Sequence, residues 1–355
     1  MEVNFDLLIS GCNTRCRHCY VNGGPGRNMP PEDALLCIEK LDELTAALPY
    51  NASMTLDNEP MNHPDIIKII RTASSTKHIV NFHHGMTTGI ALLNRKDRAE
   101  VMKAYLGCGM TEFGITLHGN AEHHDFIVRR KGAYAASLAA AELMRSYGAE
   151  IGVSLMLNRF FAEDAAEIDA ALAALKPDCI YFAIPNYTPH ANMPAFEPFR
   201  ASMDTLSALR PRLKGWQQDA DELFERAVNG SVSAVIGQLE NGLKLRDLFE
   251  APQNELYLCV HQDRRLYLGN TGVETLCLGD LKTLNIAETA AFIANQPGNR
   301  DYGAFYDTAV LPKEEELIRA LKRMPGDLIF SDAASVICRG LADMGIPTKI
   351  IDPRN

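Results

Sequence analysis

Cys12, Cys16 and Cys19 stand within the stretch GCNTRCRHCY, residues 11–20, in the spacing C-x3-C-x2-C. Three thiolates from one loop can hold three irons of a 4Fe–4S cube, and without a fourth they leave the last iron open to an exogenous molecule. Zinc is the alternative, but a structural zinc takes four ligands, usually as two separated pairs. His18 lies between two of the cysteines, where its ring can hardly reach the same ion.

Two histidine pairs, His83-His84 and His123-His124, suggest metal binding or acid–base work. Adjacent residues on a strand point to opposite faces, so each pair offers at most one side chain to a site. His83 or His84 after a third strand, and Tyr187 and His190 after a sixth, are the candidates to face a substrate. Cys37 falls on the apolar side of a helical pattern and reads as core.

The elements that must position these groups follow from periodicity. Val3 to Ser10 reads as a strand leading into the cysteine loop, followed by a helix opened by Pro30-Pro31-Glu32-Asp33 with Leu41, Leu44 and Leu48 on one face. Further strands are expected at Ser53–Leu56, His78–Phe82, Thr111–His118, Glu150–Leu157 and Cys179–Ile184. Helices lie between them, among them one with Tyr134, Leu138 and Ala141 closed by Gly148, and one with Ile168, Leu172 and Leu175 closed by Lys176-Pro177. Six β–α alternations imply an α/β fold, a parallel sheet with helices outside it. Function then sits at the carboxyl ends of the strands, where the cysteine loop is. Beyond about residue 215 the pattern changes to helices at 216–228 and 232–249, a hairpin over Glu255–Leu268 and a helix near 284–295. A helix–strand–helix–strand run closes the chain.

A length of 355 residues exceeds the roughly 250–300 over which one core grows, so a large domain with an appendage is expected. Hydrophobic residues at 46% and charged residues at 23% are ordinary for a globular chain, and a net charge of −10 offers no basic face to nucleic acid. Glu2 and Asp6 stand where a secretory signal needs positive charge, and no run reaches the ~20 apolar residues of a membrane span. A cytoplasmic protein is expected. There thiols stay reduced, and the nine cysteines suggest metal or catalysis rather than disulfides.

The cysteine spacing, with an aromatic-type residue before the last cysteine and a strand before the loop, resembles the radical S-adenosylmethionine (radical SAM) superfamily. Other segments agree in order. Leu56-Asp57-Asn58-Glu59-Pro60 resembles the family's GGEP segment, with both glycines replaced. Thr116-Leu117-His118-Gly119, His124-Asp125 and Arg130-Lys131-Gly132 are similar to a run in the subgroup that carries SPASM or twitch extensions, and Ser154 to Arg159 to its fifth strand. The resemblance covers about residues 3–185 and implies a partial (β/α)6 TIM-like barrel. It further implies one 4Fe–4S cluster on Cys12, Cys16 and Cys19, and S-adenosylmethionine contacts from Tyr20, Asn58, Glu59, Pro60, Thr116, His118, Arg130, Ser154 and Asn158. Reductive cleavage to a 5′-deoxyadenosyl radical and hydrogen abstraction would follow, with flavodoxin or ferredoxin as electron donor.

Residues 1–215 are thus expected to form the barrel and 216–355 a helical linker with a smaller α+β cap. Cys259, Gly272 and Cys277 fit C-x12-G-x4-C, a spacing compatible with an auxiliary-cluster region. The hairpin text aligns better with Gly269 in the second cysteine position, no C-x2-C follows, and Cys338 is the last cysteine, so a degenerate, cluster-free cap is expected. A strand that begins at residue 3 leaves no leader-binding domain before it, which favours a small-molecule substrate such as a sugar, an amino acid or a natural-product intermediate. A peptide substrate is the alternative, and a non-catalytic iron–sulfur or zinc redox sensor the alternative of another class.

Overall fold

The computed structural model describes residues 1–19, 21, 23–189, 193–216, 219–246, 254–298 and 305–351. The first strand, β1 (Glu2–Leu7), is central. Val3, Phe5 and Leu7 are fully buried and Asp6 nearly so, because parallel neighbours flank it and both faces are covered. On one side it pairs with β2 (Asn51–Leu56), which pairs with β3 (Ile79–His84), all parallel. Helix α1 (Pro31–Ala46) makes the crossover between β1 and β2. It starts with Pro31 at its first position and Glu32 and Asp33 in its first turn, a favourable opening for the helix dipole. Helix α2 (Ile66–Ala73) connects β2 to β3 and buries Ile66, Ile69, Ile70 and Ala73.

After α3 (Ile90–Asn94) and α4 (Arg98–Gly107) the chain enters a separate parallel sheet, β4 (Glu112–Leu117), β5 (Glu150–Met156) and β6 (Cys179–Ala183). Helices α5 (Ala121–Val128), α6 (Ala133–Ser146) and α7 (Ala165–Leu175) join these strands. Lys176, in the left-handed region before Pro177, ends α7 where expected. The six barrel strands lie within one to three residues of their sequence-read bounds, but their sheet is broken between β3 and β4. There one backbone bond, Thr87 N–H to Gly114 O at 2.9 Å, spans the gap.

The C-terminal region adds to the first sheet. Strand β7 (Glu255–Val260) pairs parallel with β1, and β8 (Arg265–Leu268) and β9 (Leu276–Asp280) follow antiparallel, giving the order β3-β2-β1-β7-β8-β9. The hairpin was legible; the third strand, β9, was not. Helix α8 (Met203–Trp216) was not among the expected elements, and it contains Pro211, which costs about 3 kcal/mol inside a helix. Its buried row Leu206, Leu209, Leu213 and Trp216, with the indole donating to Asp169 at 2.8 Å, overrides that cost. The expected helices at 216–228 and 232–249 are α9 (Ala220–Asn229) and α10 (Val232–Glu240), and residues 247–249 lie outside the described residues. Helix α11 (Ile286–Ala294) matches the expected helix near 284–295. In the final run, α12 (Glu314–Leu321) and α13 (Ala333–Asp343) form, while the two strands shrink to isolated bridges at Leu328, Ile329 and Thr348.

One hydrophobic core runs through the sheets and their covering helices, and a second joins α10, α12 and α13 with Tyr187, Met193 and Phe305. Cys37 is fully buried in the first. Arg200 ties the loop after β6 to the second core. Its buried guanidinium donates to the carbonyls of Pro185 and Asn186 at 2.6 and 3.0 Å and to Glu197, and stacks 3.9 Å from the Phe330 ring centroid. No helix among the described residues is long and apolar enough to cross a membrane. Arg200→Ala should lower unfolding stability by roughly 3–5 kcal/mol in urea denaturation, because it strips buried acceptors of their donor and removes a desolvated ion-pair partner.

Candidate active site

The cysteine loop turns back on itself through glycines. Cys12 N–H donates to Gly24 O at 2.8 Å, and a Cβ on Gly11 would lie 2.2 Å from the nitrogen of Gly26 and 2.6 Å from Gly24 O, so only glycine permits this backbone crossing. Gly23 N–H donates to Cys19 Sγ at 3.0 Å, and Thr14 Oγ1 sits 3.3 Å from both Cys12 Sγ and Cys16 Sγ. The loop docks on α5 and the turn after it: Arg130 donates to Asn13 O at 2.7 Å, Arg17 N–H to Ile127 O at 2.9 Å, and the Arg17 guanidinium lies 4.2 Å from the Phe126 ring centroid.

All three cysteines line one cavity of about 370 Å³. It is walled by the carboxyl-end residues of both sheets, Asp6 and Thr55 from the first and Thr116, Ser154 and Met156 from the second. Thr116 and Ser154 are register partners on β4 and β5, so their hydroxyls share a face. Asn58, with φ of 63°, also lines it, and its Oδ1 is buried without a partner.

Histidine chemistry is concentrated here, at residues that the sequence pattern did not single out as a group. His18, His118 and His124 all line the cavity, their rings in series with centroids 4.4 and 5.3 Å apart, and the Nδ1 of each is buried without a partner. Burial lowers all three pKa values, to about 4 for His18 and His124, so the rings are neutral near pH 7. His124 belongs to helix α5, where neighbours diverge by about 100°. Its neighbour His123 turns away to pair with Asp164 at 2.7 Å and stack on Phe160.

Other residues support the cavity without lining it. Buried Glu59 accepts from Thr87 Oγ1 at 2.7 Å, Thr88 N–H at 2.9 Å and Thr88 Oγ1 at 2.7 Å, tying the loop after β2 to the loop after β3. Burial raises its carboxyl pKa, and the threonine donors pull it back. Pro60 opens the 3-10 turn that follows. Asn158 donates to His118 O at 2.8 Å and accepts from Phe160 N–H at 3.0 Å, fixing the end of β4 against that of β5. His83 is exposed, and His84 packs edge-on against Tyr105, which reaches its Nδ1 at 3.3 Å. Tyr187 lies in the second core beneath Arg339, its hydroxyl pKa pushed up to about 12 by burial. None of these three lines the cavity. Tyr20 and His190 lie outside the described residues.

Asp6 and Asp57 also line the cavity, and among its described lining residues there is no lysine or arginine. Burial raises both carboxyl pKa values, and Asp57 raises that of Asp6 further. Asp6 was visible as an acid inside the first strand, between Phe5 and Leu7, but its direction required the sheet.

The donor set fits an iron–sulfur cluster: three thiols reach one cavity from one loop, a backbone N–H is aimed at one sulfur, and a hydroxyl separates two others. Burial raises the thiol pKa values, that of Cys16 to about 12, and coordination would reverse this by stabilising thiolate. Residues 7–172 match the family model described as the Radical SAM superfamily.

The chain carries a radical SAM domain. With it comes the catalytic framework of a radical enzyme. The fold agrees: a structure of native anSMEcpe with bound AdoMet and Kp18Cys peptide shares 14% identity, covers 97% of this chain and 96% of its own, and has a TM-score of 0.53. Streptococcus suis SuiB bound to precursor peptide SuiA shares 12% identity, with 94% and 75% coverage and a TM-score of 0.53. At such identities the likeness is one of fold, the partial TIM-like barrel with a C-terminal extension. No curated protein matches the sequence significantly. The auxiliary-cluster motif in that extension is degenerate. Cys259 and Cys277 are both register partners of Tyr267, on strands either side of it, about 9–10 Å apart across two strand spacings.

Gly11→Ala should leave the circular dichroism of the barrel intact yet reduce iron incorporation severalfold on anaerobic reconstitution, because the added methyl pushes the cysteine loop off Gly24 and Gly26. Glu59→Ala should destabilise the chain by about 2–4 kcal/mol, read from urea midpoints, since it leaves Thr87, Thr88 and a backbone N–H without their acceptor.

Proposed function

We propose that this radical SAM enzyme modifies a peptide, with Cys12, Cys16 and Cys19 holding one 4Fe–4S cluster beside S-adenosylmethionine. The observation that carries the site assignment is the convergence of three thiols and the strand-end hydroxyls of Thr116 and Ser154 on one cavity. When bound, the cluster supplies the electron that splits S-adenosylmethionine and so initiates hydrogen abstraction from the substrate.

The chain's own residues then have distinct tasks. Asn58, Thr116, His118 and Ser154 line the cavity and are proposed to contact S-adenosylmethionine. Glu59, Pro60, Asn158 and Arg130 act as positioning residues through the loops and strand ends they hold. A substrate seated over the cavity mouth would exclude water from the reacting centre, which limits side reactions of a radical.

A peptide reading is supported by the solved structures that match nearly the whole chain, whose descriptions name a Kp18Cys peptide and a precursor peptide. It takes precedence over the small-molecule expectation. The cavity of about 370 Å³ falls within the range of small-ligand clefts, so a peptide would present one side chain to its mouth. We further propose a division near residue 215 into barrel and cap, a cytoplasmic location, and a flavodoxin or ferredoxin as electron donor.

Anaerobic reconstitution should give about four iron and four sulfide per chain, and reduction with dithionite should release 5′-deoxyadenosine and methionine. Cys16→Ala should lose cluster and cleavage while remaining folded, because an apolar core rather than the metal holds a domain of this size together. Deuterium passing from a labelled peptide side chain into 5′-deoxyadenosine would establish the substrate class. Transfer from free amino acids or sugars but from no peptide would return the small-molecule reading.

A further inference from the structure

Cys259 cannot reach Cys277, but it is not isolated. Cys259 lies near the end of β7 and His261 immediately beyond it, and Glu274 comes from the loop that follows β8. That loop turns at Gly269, whose φ of 120° and backbone neighbour Val273 O, 2.6 Å from where a Cβ would stand, exclude a side chain. Thr275 N–H closes it onto Leu268 O at 2.8 Å, which directs Glu274 inward. The Cys259 sulfur, a ring nitrogen of His261 and a carboxylate oxygen of Glu274 lie within 4.8 Å of one another. Cys259 is fully buried and Glu274 is 1% exposed.

We propose that Cys259, His261 and Glu274 bind one divalent transition-metal ion of the zinc type, a mononuclear site in place of an auxiliary iron–sulfur cluster. One thiolate, one imidazole and one carboxylate are a mixed donor set that suits Zn²⁺, Co²⁺ or Fe²⁺ and disfavours Mg²⁺ and Ca²⁺. Three protein ligands leave a fourth position for water. The surroundings favour a cation. Asp6 and Glu274 are buried carboxylates whose side-chain partners among the described residues are Thr271, backbone N–H groups and His261, with no lysine or arginine.

The site lies where the C-terminal hairpin meets the barrel. Asp6 and Cys259 are register partners on β1 and β7, and Thr271 Oγ1 stands 3.4 Å from both Cys259 Sγ and Asp6 Oδ2. Since Asp6 also lines the cavity, a metal here ties the hairpin to the cavity wall through Thr271. The proposal is independent of the cluster and of the substrate.

The test uses the full chain with Cys12, Cys16 and Cys19 replaced by alanine, titrated anaerobically with Co²⁺ alone. About one equivalent should bind with a thiolate-to-cobalt charge-transfer band and be displaced by Zn²⁺. Cys259→Ser in that background should abolish the band, and Glu274→Gln should weaken Co²⁺ binding at least about tenfold. In the chain with its three cluster cysteines intact, elemental analysis should find about one zinc or cobalt beyond the iron, lost in His261→Gln while about four iron remain. That second measurement decides the matter if the alanine variant does not fold. Absence of a thiolate band in the folded variant, a band that persists in Cys259→Ser, or a metal content unchanged by His261→Gln would overturn the proposal and leave His261 and Glu274 as a hydrogen-bonded pair.

Discussion

The structure depends on the burial of β1 between two parallel partners. With β2 on one side and β7 on the other, its backbone hydrogen bonds are satisfied within the sheet and both its faces are covered. Its carboxyl end then has one exit, upward into the cysteine loop, and Gly11 allows that loop to cross Gly24–Gly26 at backbone contact. The same pairing brings residues more than two hundred positions later in the chain to the cavity: Asp6 faces Thr271 because β7 lies beside β1.

The second sheet reaches the site by side chains and loops rather than by a continuous strand ladder. Between β3 and β4 the barrel is joined by the Thr87–Gly114 bond and, beside it, by the Glu59 carboxylate holding Thr87 and Thr88. A buried carboxylate with three donors is well satisfied, and it ties the loop after β2 to the loop after β3. Asn158 does the equivalent for β4 and β5. Glu59 and Asn158, expected from their motifs as contacts of S-adenosylmethionine, are not among the residues that line the cavity and instead brace those that do.

Electrostatically, burial holds the titratable groups that line the cavity toward their uncharged forms. Its histidines are neutral because charging them would cost desolvation, and its carboxyl and thiol groups are held toward their protonated forms for the same reason. Iron or a cationic group entering such a space meets groups poised to ionise around it, in surroundings where each charge interaction counts for more than in water.

By itself the sequence determined the local features: the alternation of strands and helices up to residue 184, the loop of Cys12, Cys16 and Cys19, the end of α7 at Lys176-Pro177 and the hairpin around Asp263-Arg264. These are written in periodicity, turn chemistry and short spacings, all of which act within a few residues. Tertiary structure alone decided that α8 tolerates Pro211, that β9 extends the sheet, that His18, His118 and His124 meet in one wall, and that Tyr267 separates Cys259 from Cys277 while Glu274 approaches it. Each of these depends on which strand lies beside which, and strand order is set by burial summed over the whole core rather than by any local run of residues.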